Sequence, residues 1–197
     1  MKGILTMANA FTKNQLSQRE LYERNYSSSR HNLLLIVAFT VINLLLLVTN
    51  SGSYFLFSAY IPYFIAFMAM YLCGYAPEEY YAEGLEEVPF LDNSVFITMM
   101  VICAVIILLY LLAWFMSSKH RVGWLIFALV FFGLDTLGML FINGFSMDSA
   151  VDILFHAWVI FSLINGIVGH YKLQKLPPEA EPVPLFDDAT QEVENNQ

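Results

Sequence analysis

Three side chains that can carry charge lie inside the last two apolar blocks of the chain: Asp135, Asp152 and His156. An aspartate and a histidine held together away from water can share a proton. The chemistry open to them is therefore proton or cation transfer, or the binding of a polar ligand between helices. Asp135 lies 11 residues before Ser146, the centre of the polar link that follows it, and His156 lies 10 residues after. In an antiparallel helical hairpin those counts place the two groups at nearly one level. Asp152 sits one helical turn from His156 on the same face. A polar ladder Asp152–His156–Asp135 is geometrically available, and it is the candidate intramembrane site.

Enzymatic uses of these residues fit less well. A two-aspartate protease needs both carboxylates at one depth, yet Asp135 and Asp152 differ by roughly 8 Å of helical rise. Neither a Gly-x-Ser-x-Gly elbow nor a His-Glu-x-x-His pair occurs. His31, His120 and His170 fall at the edges of apolar blocks, remote in depth from His156. No catalytic residue, metal set or cofactor is assigned. The competing role for Asp135 and His156 is structural, a hydrogen-bonded lock on the hairpin, with embedded polar bonds contributing about 0.6–2 kcal/mol. The lock is the preferred reading.

Five apolar blocks must position these groups, at about 31–49, 54–73, 94–116, 123–143 and 150–169. Each is about long enough as a helix to cross a hydrocarbon core of about 30 Å. Of the 197 residues 58% are hydrophobic and 13% charged, against about 25% charged in soluble domains. Runs such as Val101–Leu112 do not alternate in polarity, which excludes a β-barrel. The expected fold is an all-α integral membrane protein: a five-helix bundle over 31–171, a polar segment 1–30 able to lie as an interfacial helix, and a disordered acidic tail 172–197.

The remaining polar groups read as packing devices. Asn43 shares a face of the first block with Thr40 and is expected to bond another helix. Asn165 lies about 180° around the fifth block from His156 and belongs with Ser162, Gly166 and Gly169 on a second interface. Gly133 and Gly138 thin the fourth block around Asp135. Cys73 and Cys103 sit at unlike depths, so neither a disulfide nor a metal role is expected of them.

The net charge of −8 is uneven. Six carboxylates, Glu78, Glu79, Glu83, Glu86, Glu87 and Asp92, crowd a loop without Lys or Arg, and six more lie in the tail. No basic patch suits nucleic acid. With five crossings, Lys and Arg near the span ends tie at four against four. Arg30 and its N-terminal neighbours stand on one side, Lys119, Arg121, Lys172 and Lys175 on the other. A single crossing by residues 31–73, broken near Pro62, would remove the conflict. The C-terminus is expected to be cytoplasmic. The general look is that of small multi-pass bacterial membrane proteins, so the expected setting is a bacterial cytoplasmic membrane. The expected function is a non-enzymatic one, a small transporter-like subunit or a binding and assembly protein. Its partners would be the lipid bilayer and either further copies of itself or another membrane protein. The alternatives are a proton-coupled carrier using Asp135 and His156, and an intramembrane enzyme.

Overall fold

The computed structural model describes residues 2–81, 89–145 and 149–178, with side chains from Gln18 onward. Loop carboxylates Glu83, Glu86 and Glu87, and the acidic tail from Glu179, lie outside the described residues. Five α-helices follow in order: α1 (Lys2–Val48), α2 (Tyr60–Leu72), α3 (Asn93–Met116), α4 (Val122–Asn143) and α5 (Ala150–Gln174). No break separates the polar start of α1 from its apolar half.

Four helices are long and apolar enough to cross a membrane, over Gln18–Val48, Asn93–Lys119, Val122–Asn143 and Ala150–Gln174. Their outer faces stay apolar: Leu108, Leu137, Leu154 and Phe161 are all exposed. A continuous apolar surface of this extent suits lipid better than water. The buried side joins Leu33, Ile36, Tyr110, Leu125, Phe132, Val159 and Leu163 into one core.

The second apolar block departs from the expected fifth crossing. After α1 ends, residues 49–59 run without helical structure, and α2 has only 13 residues. At 1.5 Å per residue α2 spans about 20 Å, too short for a hydrocarbon core of about 30 Å. Pro62 does not break a longer helix here; it sits in the first turn of α2, where its missing N–H would have had no helical partner. Phe57 turns the chain into α2 with a left-handed φ of 71°, its ring held against Phe155 and Trp158.

With this block returning to its own side, chain order puts residues 1–30, the 117–121 link and residues 172–178 at one end of the bundle. Contacts bear this out: the Tyr26 hydroxyl donates to the Ser117 carbonyl (2.8 Å), and Arg19 donates to the Pro177 carbonyl (2.7 Å). All nine Lys and Arg residues fall in these three segments. The other end holds the start of the limb 49–59, the described part of the acidic loop, the end of α4 and the start of α5.

Along α1 and α5 the helices approach closely. The Ser29 hydroxyl bonds the Ser162 carbonyl, and a Cβ at Gly166 would clash with the Ser29 side chain. Asn165 lines a cleft on this seam with Asn25, Ser28 and Asn32. Gly138 gives way to Ile61 of α2, whereas a Cβ at Gly133 would meet nothing within 4 Å. Cys73 and Cys103 are free, buried thiols.

Candidate functional site

A helix begins with backbone N–H groups that lack intrahelical acceptors, and water normally supplies them. The start of α2 is buried, so protein must do so. Ala59 is fully buried and Tyr60 nearly so. Asp135, projecting from the middle of α4, meets this need with both carboxylate oxygens. Tyr60 N–H donates to Oδ2 and Ile61 N–H donates to Oδ1, each at 2.8 Å. Ala59 N–H donates to the Thr40 hydroxyl at 2.9 Å, and Thr40 in turn donates to the Ile36 carbonyl. Pro62 has no N–H to satisfy. Every donor at the head of α2 is accounted for by two residues on two other helices.

The limb that leads there is held the same way. Asn43 accepts from Phe55 N–H (2.8 Å) and donates to the Phe55 carbonyl (2.6 Å), as a paired strand would. It also donates to the Ser58 hydroxyl at 2.8 Å. Asn43 thus meets an extended segment instead of another helix. Thr40 lies 8 residues before the end of α1, and Asp135 lies 8 before the end of α4. Both therefore sit about 12 Å below that end of the bundle. The limb descends to their level, and α2 climbs back. Farther up, the Tyr60 hydroxyl donates to Asn143 Oδ1 at 2.7 Å.

His156 approaches Asp135 from α5, as depth counting across the hairpin predicts. The two are 3% and 4% exposed, with Nε2 and Oδ2 3.5 Å apart. That distance is too long for a good N–H···O bond, so the contact is an electrostatic one. His156 Nδ1 lies 2.9 Å from the Asp152 carbonyl oxygen. A carbonyl can only accept, so Nδ1 carries hydrogen and Nε2 faces the carboxylate. A proton on Nε2 makes an imidazolium–carboxylate pair; without it, two lone pairs face each other. Phe132 covers the imidazole, stacked at 5.0 Å between ring centres. His156 Nε2 has no hydrogen-bond partner.

Asp152 bonds His156 through its backbone carbonyl, and its carboxylate makes no hydrogen bond to the ring among the described residues. Asn165 stays apart on the α1–α5 seam. Among the described residues no three His, Cys, Asp or Glu side chains gather as a metal site. The partners that sequence reasoning missed are the amides of Tyr60 and Ile61, because backbone donors carry no residue signature. Pro62 was the available signal, since proline favours the first turn of a helix over its interior.

An anionic carboxylate on two N–H groups at a helix N-terminus also opposes the positive end of the helix dipole. Chemically, then, the site binds backbone. Compared with known proteins, the chain matches no family model, no curated protein and no solved structure.

Proposed function

We propose that this chain is a non-enzymatic, multi-pass integral membrane protein with four crossings and one re-entrant segment, a small transporter-like subunit or a binding and assembly protein. One observation carries the reading. Both oxygens of Asp135 are engaged by backbone donors of α2, so the carboxylate serves as a lock on a half-helix rather than as a reactive group. Irregular backbone at membrane depth is tolerated only where protein or a water-filled cavity satisfies it. Thr40, Asn43 and Asp135 supply that satisfaction for residues 55–61.

Four crossings also support one orientation over the other. All nine Lys and Arg residues then lie on one side and the acidic loop on the other, which by the positive-inside rule makes both termini cytoplasmic. The setting proposed is the cytoplasmic membrane of a bacterium, with the start of the limb at residues 49–53 and the acidic loop outside. Single cysteines in a background lacking Cys73 and Cys103 test this. Ser51→Cys and Glu79→Cys should react with an impermeant maleimide in intact cells, and Lys119→Cys only after permeabilisation. Labelling of Ser51→Cys and Glu79→Cys from opposite sides would restore five crossings and end the proposal.

A second reading, a proton-coupled carrier, draws on the unpartnered Nε2 of His156 beside Asp135. It requires that Asp135→Asn abolish pH-dependent flux in proteoliposomes while the fold is intact. The lock requires instead that this variant lose stability.

A further inference from the structure

Between the descending limb and α2 lies a cavity of about 130 Å³, at the end of the bundle away from every Lys and Arg. Four aromatic rings line it: Tyr54 from the limb, Tyr63 and Phe67 from α2, and Tyr80 from the turn above. Tyr54 and Tyr63 meet edge to face at 4.9 Å between ring centres, and Phe67 and Tyr80 do so at 5.6 Å. Glu79 stands at the same wall.

The turn that closes the cavity is tied down. Tyr81 donates its hydroxyl hydrogen to the Tyr71 carbonyl (3.1 Å) and accepts from Ala76 N–H (3.2 Å). Tyr80 N–H donates to the Pro77 carbonyl at 3.0 Å. The ring of Tyr81 also stacks on Tyr71 at 5.2 Å. By contrast, the Tyr63 hydroxyl and the Glu79 carboxylate make no hydrogen bond or ion pair among the described residues. Among the described residues, two polar groups without a hydrogen bond and four rings therefore line a space that no side chain fills.

The chemistry of the walls selects what enters. Aromatic faces carry negative quadrupole potential and attract a cation lying over them. A carboxylate at the rim adds full negative charge, and no basic side chain at this end competes for it. A hard metal ion is poorly served, because calcium asks for six to eight oxygen ligands and one carboxylate is on offer. An alkylated ammonium ion, weakly hydrated and apolar at its surface, matches both the rings and the charge. Cavities of about 150 Å³ take guests of benzene size, so the space admits a trimethylammonium head. We propose that this vestibule is a binding site for a small organic ammonium ion, entering from the acidic end of the protein.

Calorimetry on the full-length protein in detergent tests this, with choline as probe and 3,3-dimethyl-1-butanol as its uncharged isostere. Choline should bind saturably, and the alcohol about tenfold or more weakly. Sodium chloride at matched ionic strength should not displace choline. Glu79→Gln should weaken choline by about two- to fivefold, and Tyr63→Leu by a similar factor, about two- to fivefold. A thermal melt of each variant at the parent temperature confirms that the fold is kept, and Phe67→Leu replaces Tyr63→Leu if the latter melts early. The proposal is overturned if the folded parent shows no saturable choline binding, if the alcohol binds as well, or if both variants bind like the parent. The inference takes the limb and α2 as a re-entrant pair, but binding in detergent does not depend on orientation. Failure here leaves the maleimide result standing, and a failed labelling pattern leaves the calorimetry standing.

Discussion

Replacing Asp135 by alanine removes the only acceptors that the amides of Tyr60 (buried) and Ile61 (part-buried) have among the described residues. The magnitude can be bounded from both sides. Polar bonds inside membrane proteins average about 0.6 kcal/mol each, because the unfolded chain in lipid also finds partners, so two bonds give a floor of about 1 kcal/mol. Leaving a buried N–H without any acceptor costs about 1–3 kcal/mol, so two give a ceiling of about 6 kcal/mol. The limb cannot reach water without unmaking the Asn43 and Thr40 contacts, which favours the middle of the range, about 3 kcal/mol. For a protein of this size that corresponds to a fall in Tm of about 6–12 °C. Asp135→Asn keeps one carbonyl acceptor but turns its NH₂ toward an amide donor, and should lose about half as much. Asp152→Ala is the control: His156 uses the carbonyl of that residue, so the change should stay within about 0.5 kcal/mol. The assay is thermal unfolding in detergent followed by helical circular dichroism, with hydrogen exchange at Tyr60 and Ile61 as the local readout. If Asp135→Ala melts within about 2 °C of the parent and both amides remain protected, Asp135 is not the cap of α2.

Two glycines that look alike in sequence should respond oppositely. Gly166→Ala drives a methyl into the Ser29 side chain, which is held by the Ser162 carbonyl, and should cost about 1–3 kcal/mol in the same melts. Gly133→Ala meets open space and should stabilise by up to about 1 kcal/mol through helix propensity; equal effects at the two sites would contradict the α1–α5 packing. At the start of α3, the Ser94 N–H bonded to Asp92 holds that carboxyl below its ordinary value. A group lowered on folding contributes stability above its unfolded pKa and loses it as pH falls through its folded one. Carboxyl NMR should therefore show Asp92 titrating below an ordinary aspartate, with exchange at Ser94 N–H quickening only in that acidic range. Titration at or above the ordinary value would remove the cap.

The helical class and four long apolar helices were readable from the chain alone, because length, hydropathy and the absence of alternation are local properties. So was the meeting of Asp135 with His156, since residue counts on either side of a short link fix relative depth in a helical hairpin. What Asp135 does was not readable. Its partners are main-chain amides 74 and 75 residues away, and a backbone donor looks the same in every residue type.

The second block shows the boundary most clearly. Residues 54–73 are apolar enough for a spanning helix, and composition cannot separate that from an extended limb followed by a half-helix. The difference lies in whether other helices offer acceptors at depth. Thr40, Asn43 and Asp135 do so only once α1 and α4 are packed around the limb. Sequence by itself determined that this chain must hide its backbone from lipid. Tertiary structure decided where it does so without a helix, because only there can side chains from elsewhere take over the hydrogen bonds that a helix would have made for itself.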